Sequence, residues 1–292
     1  MTENQTKQKW CEDRTVCLVS FNNPELTEAA IMSLRKHGGE DYRVIVWDNS
    51  ADIEAVDGTR MKARPFKKRM AGVKVIDNTR GQRIDFEKEI RSRVSTDEEY
   101  GSGGYSRWGS AKHIMSVQAL WDECPQGFVL MESDTLLKQS IDHLFRPDLS
   151  AIGHPVLDET LSLSVERLSP LLCWLNVPML REHGARYYDP DRCWGLSHGG
   201  GSAPGNHYDT GAALLEDVRK DQELRAKSLR IDIRPLMVHF RGGTWKVNKE
   251  EEKRLWLEQH SDLWKPEADA TGTVADGGSK PQARKRTNSK AK

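Results

Sequence analysis

How the chain opens constrains its fold more than any other feature. Thr15–Ser20 (TVCLVS) is a short apolar run rich in β-branched residues and reads as a buried strand. Phe21-Asn22-Asn23 interrupts it, and Pro24 follows. Asn before Pro predicts a helix start, with Asn23 as N-cap and Pro24 in the first helical position. Leu26, Ala30 and Leu34 then recur on one helical face, and Gly38-Gly39 ends the helix. Arg43–Trp47 (RVIVW) is the next strand, closed by Asp48-Asn49-Ser50. Two strands joined through a helix lie parallel, so the chain is predicted to be α/β with a mostly parallel central sheet flanked by helices.

The alternation continues. Strands are predicted at Val73–Ile76, Phe128–Met131, Ser150–Val156, Leu171–Leu175 and Ile231–Phe240. Ser102–Gly109 reads as a loop. A helix follows from Ser110 to Asp122, with Ala111, Ile114, Val117 and Trp121 on one side. Tyr208–Lys220 and Asn248–His260 are further helices, and the glycine-rich 195–206 ahead of them is too irregular for either state. A long glycine loop of that kind suits an active-site lid. Residues 265–292 hold no aromatic, Leu, Ile or Met and are expected to be a disordered basic tail. One domain over residues 13–264, after a flexible 1–12, is the expected organisation.

Composition excludes several classes. The longest uninterrupted apolar run, Leu171–Leu175, is five residues, far short of the roughly 20 that a membrane-spanning helix needs. The N-terminus has no apolar segment of a secretory signal. Five cysteines without a CxxC argue against a disulfide framework or a structural zinc site. A soluble, cytoplasmic protein is expected. The 44 basic and 44 acidic residues cancel, but unevenly. Residues 280–292 carry six Lys/Arg and no acid, and residues 60–93 carry twelve Lys/Arg against four acids. Such a stretch either attracts a polyanion or is balanced by acids elsewhere in the fold.

The most informative chemical signal is an apolar strand, FVLM, that ends in Glu132-Ser133-Asp134. Along an extended chain, residues i and i+2 point the same way, so the two carboxylates can converge at the carboxyl edge of the sheet, where open α/β folds bind ligands. Carboxylates without Cys or His beside them suit Mg²⁺ or Mn²⁺ carried with a substrate diphosphate. The alternative is that ESDT merely caps a following helix.

With these residues in place, the chain resembles nucleotide-sugar glycosyltransferases of the GT-A fold, family-2-like. VCLVSFNNPELTEAAIMSLRKHG followed by RVIVWDNS is similar to their opening, and FVLMESDTLL to their metal-binding DxD segment. SAKHIMSVQALW, YDTGAALLEDV and LMVHFRGGTW are similar to further motifs of a subset, in the same order over residues 14–245. One departure is Glu132, where the family usually has Asp. The resemblance implies that Ser20, Phe21 and Asn22 line a nucleotide pocket and that Asp48 accepts a hydrogen bond from the base. It also implies that Asp134, supported by Glu132, holds Mn²⁺ or Mg²⁺ on the diphosphate. His239 would be a further metal ligand or phosphate contact with Arg241 close by, unless it is a structural strand-end histidine.

Glycosyl transfer with inversion needs a carboxylate to deprotonate the acceptor, and Asp209 is the candidate, although Asp before Thr-Gly also suits a helix N-cap. Lys112 and His113, taken as the start of their helix, are candidates for phosphate or sugar. Trp108, Trp194 and Trp245 fall in predicted loops, where indoles can stack on sugars. GxxxxGK[ST], GxGxxG after a strand, HExxH and GxSxG are all missing from the sequence. The expected function is transfer of a sugar from a nucleotide sugar, first of all a UDP-sugar, to a glycan hydroxyl. A hydroxymethylated base in DNA is the second acceptor. The rivals are a nucleotidyltransferase, against which SFNNPE argues, and a non-catalytic nucleotide- or glycan-binding protein. Donor sugar, stereochemistry and oligomeric state are not encoded legibly.

Overall fold

The computed structural model describes residues 14–39, 41–54, 60–92, 104–157, 165–193, 208–241 and 249–266. Strand β1 (Thr15–Ser20), helix α1 (Pro24–Gly38) and strand β2 (Arg43–Asp48) form the expected unit, with β1 and β2 parallel from Thr15↔Arg43 to Ser20↔Asp48. A two-residue ladder, β3 (Ile53–Glu54) with β4 (Arg60–Met61), precedes β5 (Val73–Asp77), which is parallel to β2. Helices α2 (Phe86–Arg91) and α3 (Gly104–Glu123) lead to β6 (Phe128–Met131), parallel to β1.

The second half is more broken. It runs through β7 (Thr135–Leu137), β8 (Ala151–Gly153), β9 (Pro155–Val156), β10 (Arg167–Leu168) and β11 (Leu172–Leu175). Helices α4 (Val177–Glu182), α5 (Ala212–Lys220) and α6 (Gln222–Ala226) follow, then β12 (Ser228–Arg230), β13 (Met237–His239), α7 (Glu250–Gln259) and α8 (Ser261–Trp264). The seven-stranded sheet has the order β12-β8-β11-β6-β1-β2-β5, antiparallel only on the two sides of β11.

Alternation along the strands divides the core into two layers. Val16, Leu18, Val44, Val46, Val129 and Met131 pack with Ala30, Ile31 and Leu34 of α1. Cys17, Val19, Ile45, Trp47, Phe128 and Leu130 face the other way, onto Ala111, Ile114, Val117 and Trp121 of α3 and Leu214, Leu215 and Val218 of α5. Among the described residues no helix is long and apolar enough to cross a membrane.

Four local expectations need correction. The stretch Gly104–Gly109 is helical, not loop, so α3 starts about two turns earlier. Helix propagation adds one hydrogen bond per residue to an existing nucleus, which outweighs the roughly 1 kcal/mol that each interior glycine costs. Lys112 and His113 therefore lie inside α3 and not at its N-terminus. Helix α5 starts at Ala212, not Tyr208, because Gly211 is its N-cap in the left-handed region, with φ +81°. A Cβ there would lie 2.3 Å from the Leu168 carbonyl oxygen, so only glycine fits. Ile231–Phe240 is strand only at Met237–His239, since Pro235 lacks a ladder donor and Asp232 turns the chain by accepting from the Arg234 amide at 3.0 Å. Finally, Glu132-Ser133-Asp134 does not cap a helix: a strand, β7, follows at once.

Candidate functional site

A backbone ladder assembles the site. Where β6 ends, the Glu132 amide still donates to the Leu171 carbonyl (3.2 Å), and the Thr135 amide donates back to the Glu132 carbonyl (3.2 Å). That turn sends β7 out to pair with β13, with His239 opposite Thr135 and the Phe240 amide donating to the Asp134 carbonyl at 2.9 Å. His239 is thereby fixed beside Asp134, with Nε2 3.2 Å from Oδ1. Glu132 meets a different imidazole, with His113 Nε2 of α3 3.2 Å from its Oε1.

Both contacts are close enough for charge attraction but are not aligned as hydrogen bonds. Asp134 Oδ1 and both ring nitrogens of His113 are buried without a hydrogen-bond partner. Asp134 is only 5% exposed. Burial raises its pKa and outweighs the lowering by His239. Burial also pushes the His239 imidazolium down, but the Asp134 carboxylate outweighs it and the pKa rises. The pair thus holds a proton more readily than either group does in water. For Glu132 the balance is reversed: burial raises the pKa, but His113, His239 and Arg167 together outweigh it and the carboxylate is favoured.

Among the described residues no three His, Cys, Asp or Glu side chains gather into a metal cage. The residues nevertheless fit a cation carried in by its substrate. A magnesium-type ion bound with a diphosphate takes one or two protein carboxylates and completes its shell with phosphate and water. Asp134 Oδ1, buried and without a hydrogen bond, could serve as such a ligand, and His239 stands against it.

Asp209 does not act as the cap of α5. Its Oδ1 accepts from the Thr210 amide at 2.7 Å, and its Oδ2 is held by Arg167 Nη1 of β10 at 2.8 Å. The positive charge of Arg167 is also felt by Glu132. The Tyr187 hydroxyl, buried without a hydrogen bond, feels Glu132, Arg167 and Asp209 as well. One electrostatic patch therefore joins Asp209 to the carboxylates after β6. Sequence reading missed Arg167 and Tyr187, because a lone Arg in a two-residue strand and a Tyr before Tyr188 carry no pattern.

The residues expected around the nucleotide are placed differently. Ser20 is fully buried, with Oγ 2.8 Å from Thr27 Oγ1. Asn22 adopts φ +52°, is buried and ties three segments together. Its amide donates to Ser50 Oγ (2.9 Å), its Nδ2 donates to the Ala51 carbonyl (2.8 Å) and its Oδ1 accepts from the Arg64 amide (3.0 Å). Asp48, 2% exposed, accepts from the amides of Ser50 (2.9 Å) and Phe66 (2.7 Å). Phe21 is half-buried at the same strand tip. Lys112 is half-buried on α3, and burial pushes its ammonium below the usual lysine range against the charge of Glu87. Arg241 is exposed just after β13. Trp194, Trp245 and the 195–206 loop lie outside the described residues, as does the side chain of Trp108.

At least five of the twelve basic residues of 60–93 are paired with carboxylates. Lys62 pairs with Asp52 (2.7 Å), Lys74 with Glu123 (2.5 Å) and Arg91 with Glu87 (3.0 Å). Arg64 pairs with Glu25 and Glu250, and Lys68 with Glu28.

No protein-family model and no curated protein matches the chain. Solved structures do. The bifunctional glycosyltransferase WbbM, in its apo form, is similar over 76% of this chain at 12% identity, with a TM-score of 0.41, and this chain spans only 39% of it. The galactosyltransferase LgtC, in complex with donor and acceptor sugar analogs, is similar over 75% of this chain and 74% of its own, at 13% identity and a TM-score of 0.39. The mannosyltransferase PcManGT from Pyrobaculum calidifontis, in complex with GDP-Man and Mn²⁺, is similar over 82% of this chain and 64% of its own, at 11% identity and a TM-score of 0.36. The likeness to these glycosyltransferases is one of fold.

Proposed function

We propose that this chain is a metal-dependent glycosyltransferase that moves a sugar from a nucleotide sugar to a glycan hydroxyl. The observation that carries the reading is the Asp134–His239 pair at the carboxyl edge of the sheet, with a buried carboxylate oxygen that no protein donor satisfies. A buried acceptor without a partner costs about 1–3 kcal/mol, a cost that a ligand completing its bonds removes.

In this reading Asp134 and His239 hold Mn²⁺ or Mg²⁺, with Glu132 beside them. The cation would neutralise the leaving diphosphate. Lys112 adds positive charge toward the phosphates. Ser20, Phe21, Asn22 and Asp48 act mainly by fixing the strand tips against which the nucleotide, a UDP-sugar in first place, would lie. Asp209, oriented by Arg167, takes the acceptor proton as the acceptor oxygen bonds to the anomeric carbon and the bond from that carbon to the diphosphate breaks. The hydroxymethylated DNA base rests on the charge of residues 60–93 and of the basic tail. With Lys62, Arg64, Lys68, Lys74 and Arg91 tied to carboxylates, a glycan is the acceptor we propose.

The test is nucleoside-diphosphate release from a panel of nucleotide sugars with Mn²⁺. Release from one donor should fall on the order of a hundredfold or more in Asp134→Ala. Full release by the variant with unchanged metal dependence overturns the site. Silence of the wild type across the panel, with no metal-dependent nucleotide binding, overturns the transferase reading in favour of a binding protein.

A further inference from the structure

A cavity opens at His239, beside the candidate cation site. It holds about 420 Å³, and its walls include His154, Arg234, His239, Arg241, Trp256 and His260. That volume falls within the roughly 300–1,000 Å³ of small-ligand pockets. His239 belongs both to this cleft and to the Asp134 pair, so a molecule seated here touches the reacting centre.

The chemistry of the walls is one-sided. Among the described residues no carboxylate lines the cleft. Arg234 is answered by Asp232 outside the lining, through bonds of 2.7 and 2.8 Å. Arg241 makes no ion pair among the described residues and is exposed at the mouth. Two imidazoles are fixed in orientation. His154 Nδ1 lies 3.0 Å from the Ile231 carbonyl oxygen and His260 Nδ1 lies 2.9 Å from that of Trp256. A carbonyl only accepts, so each Nδ1 carries a proton, and in the neutral form Nε2 is the acceptor. Trp256 is held between Phe240 (5.4 Å between ring centroids) and His260 (4.7 Å), which keeps its indole in place. Fixed acceptors for hydroxyl donors, an indole wall and one uncompensated guanidinium together match a sugar with a negative group.

We propose that this cleft is the acceptor site and that it selects a saccharide bearing a carboxylate or a phosphate, seated on Arg241. The word acceptor rests on the transferase reading; the ligand class does not. Calorimetric titration of the full chain, without nucleotide or metal and at fixed ionic strength, would compare glucuronic acid, glucose 6-phosphate, glucose and inorganic sulfate. At least one anionic sugar should bind about tenfold more tightly than glucose and than sulfate. Whichever anionic sugar wins identifies the charged group. Arg241→Gln should erase that advantage, while His154→Ala and His260→Ala weaken glucose and the anionic sugars alike. Equal affinity for neutral and charged sugars, sulfate binding as well as the sugars, no binding at all, or an advantage that survives in Arg241→Gln overturns the proposal. Binding of an anionic sugar with neither diphosphate release nor metal-dependent nucleotide binding removes the transferase reading and keeps the ligand class. Diphosphate release without the anionic preference does the reverse.

Discussion

Neighbouring strand tips at the carboxyl edge of the central sheet treat buried polar groups in opposite ways. At the tips of β1 and β2, Asp48 is buried and its two carboxylate oxygens each accept from a backbone amide, while Asn22 uses its amide, its Nδ2 and its Oδ1. One strand over, after β6, Asp134 is just as buried, yet Oδ1 meets only a misaligned imidazole, and His113 and Tyr187 are left with polar atoms that nothing satisfies. The same residue type in the same burial therefore does two jobs. Asp48 closes a loop, and its bonds are complete without a ligand. Asp134 is held by the β7–β13 ladder in a position that its own fold does not reward.

The sharpest way to break this contrast is to remove each carboxylate. Asp48→Ala strands the amides of Ser50 and Phe66 in the interior and should lower stability by about 3 kcal/mol. Asp134→Ala should change stability by less than about 1 kcal/mol, or raise it, because a buried charge without aligned bonds contributes little, although it removes diphosphate release. Urea denaturation of both variants decides the matter: equal losses would mean that the two sites are not different in kind.

A smaller effect follows from the shared proton. In the metal-free chain, burial lowers the His239 pKa but Asp134 outweighs it, so the folded value lies above the ordinary 6.5. The stability it adds is complete below about 6.5 and is lost as pH rises through the folded value. Asp134, raised by burial above 3.8, acts with the same sign. The melting temperature of metal-free protein should therefore drop between pH 6 and 8, and the drop should shrink in His239→Gln. An identical pH profile for the variant would show that the pair holds no extra proton.

These differences explain which parts could be read from the sequence. Strands β1 and β6 match their expected limits residue for residue, because four to six apolar residues bounded by turn formers allow no other state. The β7–β13 ladder could not be read, since two three-residue strands far apart in the chain have no periodicity to detect. His239 was named as a ligand through a motif likeness, and its contact with Asp134 is visible only in three dimensions. Arg167 escaped for the same reason: its partner, Asp209, is brought to it by Gly211 packing on Leu168. Local signals reveal the frame, whereas the site is made where distant short segments meet.

The weakest contacts test the boundary of the contrast. Lys68 with Glu28 and Lys74 with Glu123 are ion pairs of the same region as Asp48, yet their lysines are 54% and 47% exposed. Water already solvates both charges well, and ordering a long side chain offsets most of the attraction. Lys68→Ala and Lys74→Ala should each shift stability by less than about 0.5 kcal/mol, a shift that shrinks further as salt is added. Denaturation midpoints at low and high ionic strength would show it. A loss near that of Asp48→Ala would mean that the N-terminal half is held by its charge network and not by backbone bonds to buried side chains. A negligible, salt-dependent loss leaves those carboxylates as what they look like, neutralisers of the 60–93 stretch, and confines the structural role of charge there to Asp48.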